Sequence, residues 1–404
     1  MPRRIFVTGL GIITGIGNNL AATKDSLFHL RTGIGKIQFL QTNLRDEIPV
    51  SEVKCSLEEC FHLAAIPVTE GYSRNALLGI IAAKQAYEDA RIGDFPGPRT
   101  GLISATTVGG MDRCELYYQD FLTNDSRNVY IDSYDCADST EKIADVLGIK
   151  DYLTTISTAC SSSANAIQLG ARMIRNGDID RVVAGGTETL TKFHLNGFNA
   201  LKILDKEPCK PFDEKRNGIN LGEGAAYLVL ESEESVKQSG KPVICELTGW
   251  GNSCEAFHQT ASSPDGIGAY LAMKKTIDMS GLKVANIDYI NAHGTGTDNN
   301  DISEGRAIEK LFGAKVPPVS STKPYTGHTT SAAGATEAII SILCMLEQVI
   351  WPNLNFSEPM KELHFTPVRE LIKNIKVSHV MTNSFGFGGN DTSLIFSRVL
   401  SFKC

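Results

Sequence analysis

Cys160, His293 and His328 are the residues whose types and settings could do chemistry. Cys160 stands in Ser157-Thr-Ala-Cys-Ser-Ser-Ser-Ala-Asn-Ala-Ile, where a β-branched run gives way to small residues suited to a helix. A helix start offers unpaired N–H groups and the positive end of the macrodipole, so a cysteine there is expected to ionise with a pKa of about 3.5–7.5. The alternative is a buried cysteine that only packs a strand-to-helix turn. His293 follows the apolar run Ile287-Asp-Tyr-Ile in Asn291-Ala-His-Gly-Thr-Gly-Thr-Asp, and His328 follows Val316-Pro-Pro-Val-Ser-Ser-Thr in Lys323-Pro-Tyr-Thr-Gly-His. Either histidine alone could be a satisfied structural residue at a strand end. A thiol on a helix start together with two imidazoles in Gly/Thr turns points instead to nucleophilic catalysis.

The elements that must position these side chains alternate. Arg4-Ile-Phe-Val-Thr-Gly reads as a strand, the segment from Asn75 as a helix, and Thr100-Gly-Leu-Ile-Ser-Ala as a strand. Further strands are expected around Arg181, Ala225, Val243, Ile287, Val377 and Thr392. Such alternation predicts an α/β protein built on a central sheet. The stretches from Thr155 and from Val319 both pass from a strand through a polar turn into small residues that suit a helix. This echo predicts two duplicated halves, 1–242 and 243–404, with the turns facing each other. Gly9-Leu-Gly-Ile-Ile-Thr could be misread as a dinucleotide fingerprint, but Thr14 stands where the third glycine belongs. Its glycines are expected to form a permissive turn.

Composition narrows the function classes. A net charge of -7 over 404 residues argues against a nucleic-acid binder. The ten cysteines include no CxxC pair and no Cys/His ligand spacing, so no metal site is expected. The opening residues show no apolar signal core before a small-residue cleavage site, which predicts a cytoplasmic chain. The most apolar run, residues 338–346, is short for a membrane span and reads as a buried helix.

Four motifs in order, Thr158-Ala-Cys-Ser-Ser, Asn291-Ala-His-Gly-Thr-Gly-Thr, Lys323 to His328, and Asn383-Ser-Phe-Gly-Phe-Gly-Gly, carry a resemblance over nearly the whole chain. The sequence resembles the elongating β-ketoacyl-acyl carrier protein synthases of type II fatty acid and polyketide synthesis. Asn217-Gly-Ile-Asn-Leu-Gly-Glu-Gly-Ala resembles the version in specialised pathways such as aryl polyene pigments.

The resemblance implies a thiolase fold, two α/β halves layered αβαβα, and decarboxylative condensation of an acyl group on Cys160 with malonyl-acyl carrier protein. By the same resemblance, the N–H groups of Cys160 and Phe387 form the oxyanion hole, and His293 and His328 support decarboxylation. Lys323 orients the histidines, while Asp301 and Glu304 hold that lysine. Thr295 and Thr297 bind the phosphopantetheine arm, which arrives on the carrier, so no cofactor of the protein's own is implied. Phe387 gates the acyl pocket, Phe385 lies in the same loop motif as a substrate contact, and Val108 reaches the pocket near a dimer interface. A homodimer is implied, with a heterodimer as the alternative. Carrier docking is expected at Arg127, Lys202, Lys206 and Lys210, because the region before Asn75 holds Glu70, Gly71 and Tyr72 where many members are basic. Asn390-Asp391 departs from the Thr-Asn that usually follows the gating loop.

Two rival readings remain. A thiolase would need a second catalytic cysteine in the loop that here reads Gly386-Phe-Gly-Gly-Asn-Asp. A chain-length partner subunit would lack the nucleophile.

Overall fold

A computed structural model describes residues 3–399. Its main sheet has ten strands. In chain order these are β1 (Ile5–Thr14), β2 (Thr100–Ala105), β3 (Tyr152–Ile156), β4 (Arg181–Glu188), β5 (Gly224–Ser232), β6 (Cys245–Cys254), β7 (Tyr289–Asn291), β8 (Val319–Ser320), β9 (His379–Gly386) and β10 (Asn390–Ser397). Their spatial order is β8-β7-β9-β10-β6-β1-β5-β4-β2-β3. Read outward from the middle, β1-β5-β4-β2-β3 and β6-β10-β9-β7-β8 are the same five-strand pattern. The two patterns meet only where Phe6 pairs with Glu246 and Val7 with Cys245. The duplication suggested by the two turns is therefore a property of the whole chain.

The helices that bear on the site and its layers are α1 (Arg74–Asp89), α2 (Cys136–Leu147), α3 (Ser162–Asn176), α4 (Lys192–Ala200), α5 (Ile267–Ser280), α6 (Asp298–Phe312) and α7 (Ala333–Glu347), all but α4 packing against the sheet. Alternation along the strands sorts side chains between layers, because successive residues of a strand point to opposite faces. On β5, Ala226, Leu228 and Leu230 enter a central core with α3, α7 and strands of both halves. Their neighbours Ala225, Tyr227 and Val229 join an outer core with α1 and α2. In the second half, Ile395 of β10 and Met381 of β9 pack outward with α5 and α6. The layers are thus helix, sheet, paired central helices, sheet, helix, the thiolase-fold arrangement. Both sheets are buried on two faces, which explains why their strands read as nearly continuous apolar runs.

The central helices begin against each other. The Ala335 N–H donates to Ser163 Oγ at 3.0 Å, and a Cβ on Gly334 would lie 2.7 Å from the Ala164 nitrogen. Small residues at both helix starts permit this approach. The apolar run of α7 is longer than the sequence suggested: Thr330–Glu347 reaches 18 residues at mean hydropathy 1.2, and 89% of it is buried inside the protein. It is the central core helix.

Gly9 and Gly11 do not form a turn. They sit inside β1, where α1 presses so close that a Cβ on Gly11 would lie 2.0 Å from the Ala82 oxygen and one on Gly9 2.3 Å from the Ala86 oxygen. The glycines are there for want of space. Gly11→Ala is expected to destabilise the protein by about 1–3 kcal/mol through overpacking, seen as a lowered midpoint of thermal unfolding; an unchanged midpoint would refute the contact.

Candidate active site

Each chemical residue lies in a loop that follows a strand of the main sheet. Cys160 follows β3 and precedes α3, and the turn is tight: Ala159, one residue earlier, has φ +52°. His328 lies in the equivalent turn of the second half, before α7, and Thr330 two residues later has φ +43°. Left-handed backbone at an alanine and at a β-branched threonine is strained, and such strain concentrates at functional turns. His293 stands two residues beyond β7.

The three side chains converge. His328 Nε2 lies 2.9 Å from Cys160 Sγ, and the rings of His293 and His328 meet edge to face at 5.4 Å. All three are buried and line one pocket of about 210 Å³ together with Thr295, Thr297, Lys202, Phe385 and Phe387. The backbone N–H groups of Phe387 and of Cys160 itself both bear on the sulfur. Phe387 stacks on Phe198 of α4 at 5.8 Å across the pocket mouth.

Burial dominates the electrostatics. It pushes the Cys160 thiol up to about 11, against the field of Lys323 and the two backbone donors, which pull it down. Burial thus opposes the lowering expected of a helix start, and it outweighs Lys323 and the two backbone donors together. Burial also holds both histidines well below the ordinary imidazole value, with Lys323 reinforcing it. The resting site is a neutral thiol beside two neutral imidazoles. Lys323 Nζ donates to His293 Nδ1 at 3.2 Å, which leaves the His293 proton on Nε2. His328 Nδ1 has no partner among the described residues, so its Nε2 is free to accept a proton or to donate one.

The carboxylate that holds Lys323 is neither Asp301 nor Glu304. It is Glu337, on α7, in a buried ion pair with the ammonium. Glu337 was overlooked in the sequence, although it is the only charged residue in Ala-Gly-Ala-Thr-Glu-Ala-Ile-Ile-Ser-Ile-Leu-Cys-Met-Leu. Glu304 instead accepts the N–H groups of His293 at 2.9 Å and Gly294 at 2.8 Å, and burial pushes it up to about 7. Asp301 accepts from the Thr295 and Phe212 N–H groups at 3.0 and 2.7 Å. Both shape the histidine loop because carboxylate oxygens near a helix start can satisfy turns of backbone N–H groups. They position His293 without touching Lys323.

Other expected residues are scattered. Thr295 and Thr297 hydroxyls bond each other at 2.8 Å within the pocket lining. Phe385 packs on His293 at 6.0 Å between ring centres. Val108 lies outside this pocket, in a separate depression with Phe193, Tyr134 and Cys136. Of the basic residues, Lys202 is at the pocket mouth, whereas Lys206 pairs with Glu47 and Arg127 lies over the Tyr117 ring. Lys210 is half-buried and outside the lining. Asn390, the departure after the gating loop, anchors it: its Oδ1 accepts from Ser161, Asn165 and Asn252 at 2.8–2.9 Å.

Sulfur and two imidazole nitrogens lie within 4.8 Å of one another, a spacing a metal ion could use. The donor set does not suit one, because the Lys323 amine occupies His293 Nδ1 and its charge bears on both imidazoles. The arrangement suits acyl transfer to sulfur, with hydrogen-bond donors beside it.

Residues 2–235 match the family described as beta-ketoacyl synthase, N-terminal domain, and residues 244–357 match its C-terminal domain. The chain belongs to the β-ketoacyl synthase family. Among curated relatives, 3-oxoacyl-(acyl-carrier-protein) synthase 2 of Coxiella burnetii is 34% identical across 98% of this chain and 99% of its own. The enzyme of the same name from Staphylococcus aureus is 31% identical across 98% of both chains. Among solved structures, the ishigamide ketosynthase/chain length factor superposes with a TM-score of 0.92 at 29% identity, over 99% of this chain and 100% of the other. The ketosynthase ApeO in complex with its chain length factor ApeC, from Xenorhabdus doucetiae, gives 0.81 at 31% identity over 98% of each. Against these ketosynthases, the thiolase reading lacks its second loop cysteine and the non-catalytic reading conflicts with Cys160.

The raised thiol value has a direct kinetic consequence, since only the thiolate alkylates. In the absence of substrate, carbamidomethylation of Cys160 by iodoacetamide, followed by peptide mass, should rise steadily from pH 7 to pH 9. A rate already level below pH 8 would mean that the thiolate is the resting form.

Proposed function

We propose that the protein elongates an acyl chain held on Cys160 by decarboxylative Claisen condensation with malonyl-acyl carrier protein, releasing β-ketoacyl-acyl carrier protein. The observation that carries this reading is the 2.9 Å contact of Cys160 with His328 beside a second imidazole whose Nε2 keeps its proton. In the first half-reaction the thiol proton passes to His328 Nε2 as sulfur attacks the incoming thioester. The tetrahedral oxyanion is stabilised by the Cys160 and Phe387 N–H groups, and the carrier thiol leaves with the proton.

In the second half-reaction the malonyl carboxylate departs as carbon dioxide and charge builds on the thioester oxygen. His293, whose proton is on Nε2, donates there, and His328 does so in the tautomer that carries its proton on Nε2, so that charge is stabilised where it develops. The resulting enolate carbon attacks the acyl carbonyl, the new C–C bond forms, the C–S bond to Cys160 breaks, and the departing thiolate takes up one proton from solvent to restore the thiol. Depressed histidine basicity suits this step, because imidazoles that stay neutral donate without being trapped as cations. Phosphopantetheine arrives on the carrier, along a lining that includes Thr295 and Thr297, and Lys202 at the mouth faces the acidic carrier. Reaction of this kind fits a cytoplasmic protein.

The partner surface follows from the free end of the sheet. β3 is an edge strand, Leu153 on it is exposed, and Phe193 and Tyr134 are exposed beside Val108. A second copy docking there would cover this apolar surface and close the Val108 depression. A heterodimer is the second reading, supported by the chain length factors that accompany two of the similar ketosynthases.

Incubation with acyl-carriers, read by intact mass, tests the nucleophile: Cys160→Ala should carry no acyl adduct, and a persistent adduct would overturn the assignment. His328→Ala should keep part of the acylation while losing at least about 100-fold in malonyl decarboxylation, the scale of removing one donor to a developing oxyanion. Equal loss in both half-reactions would instead give His328 its main role in activating the thiol.

A further inference from the structure

Cys55 and Cys60 take no part in the chemistry above, yet their sulfurs lie 2.9 Å apart and both are buried. A helix cap brings them together. Ser56 caps the helix Leu57–Ala64 in a full capping box with Glu59. Cys55 is thus the residue before the cap, and Cys60 the fourth residue of the helix. Those two positions face each other at capped helix starts, where an apolar pair commonly packs. Here the pair is two thiols.

Arg74 lies against them. Its Nη1 is 3.6 Å from Cys60 Sγ and 2.8 Å from the Cys55 carbonyl oxygen, and its Nη2 is 2.9 Å from the Val53 oxygen. The guanidinium therefore fixes the backbone of one cysteine and presents charge to the sulfur of the other. The Cys60 thiol donating to the Cys55 sulfur holds Cys55 below the usual thiol range, with burial opposing and Arg74 assisting. A depression lined by Ser56, Leu57 and Arg74 lies beside the pair, although neither cysteine is part of its lining. Arg74 is itself held by Glu223 at 2.7 Å, which keeps the cation buried beside the two thiols.

We propose that Cys55 and Cys60 form a two-electron oxidation site, closed to a disulfide by a peroxide and reopened by a thiol reductant. The Cys55 thiolate attacks one peroxide oxygen, the O–O bond breaks, and hydroxide leaves to become water with the proton that Cys55 released. Cys55 is then a sulfenic acid. The Cys60 sulfur displaces its hydroxyl, the S–S bond forms, the S–OH bond breaks, and the Cys60 proton leaves with the hydroxide as a second water. Arg74 stabilises Cys60 as it loses that proton. The sulfurs need to close by only about 0.9 Å to reach bonding distance. Two equivalents of a small thiol reverse the reaction and are themselves joined as a disulfide.

The protein's own cleavage sites make the test simple. Trypsin cutting after Lys54 and Arg74 releases residues 55–74, which hold these two cysteines and no other. The full chain is treated with graded hydrogen peroxide, denatured in N-ethylmaleimide and digested. The expected result is a peptide two hydrogens lighter, with both maleimide labels lost, at doses that leave the Cys114 peptide labelled; dithiothreitol restores both labels. In Cys60→Ser, Cys55 should stop at the sulfenic acid and be captured by dimedone. A wild-type peptide still doubly labelled at a dose that oxidises the exposed Cys254 would overturn the proposal and leave the cysteines as a packing pair. Because the wild-type protein gives that answer alone, the result does not depend on the variant folding.

Discussion

Exclusion of water from the floor of one pocket is the constraint on which the rest of the site depends. Cys160, His293, His328, Lys323 and Glu337 are all buried, so the charged form of each group is costly unless a neighbour compensates. Only Lys323 and Glu337 offset each other directly as an ion pair. The thiol and the imidazoles meet the same constraint by staying neutral. Proton transfer within the cluster then needs no solvent reorganisation, and hydrogen bonds to a developing enolate act at full strength.

Duplication supplies that dry place. Two copies of a five-strand pattern press their inner faces on a shared pair of helices, and each copy sends one strained turn to the same point. Ala159 before Cys160 and Thr330 after His328 are matching sites of left-handed backbone. Cys160 and His328 thus lie in corresponding turns of the two halves, one just after and one just before the left-handed residue, and the helix starts touch at Ser163 and Ala335.

Much of this was legible in the sequence, for reasons that can be stated. Strand and helix periodicity gave an α/β protein on a central sheet, since strands buried on both faces read as apolar runs, while the layering came from the family resemblance. The nucleophile and histidines were legible because thiol and imidazole in Gly/Thr turns are chemically conspicuous. What stayed hidden was distance across the fold. Nothing local in Glu337 tells that it meets Lys323, and the family resemblance implied for Asp301 and Glu304 a lysine contact that the helix instead directs to backbone N–H groups. The Cys160 thiol was misjudged because a helix terminus is visible in sequence while depth of burial is not. Gly9 and Gly11 looked like a turn because crowding by α1 leaves the same mark as a need for unusual backbone angles.

The two residue pairs that join β1 to β6 are a slender seam for a ten-stranded sheet. Sheet hydrogen bonding therefore does little to hold one half to the other, and cohesion falls to the contact of α3 and α7 and to the bonds that Asn390 accepts from Ser161 and Asn165. That contact is also what brings sulfur to imidazole. Relative sliding of the halves would part Cys160 from His328 before it unfolded either sheet, so the protein's catalytic alignment is a more sensitive gauge of its internal cohesion than its secondary structure. The chemistry straddles the boundary between the two halves, the first supplying the thiol and the second both imidazoles.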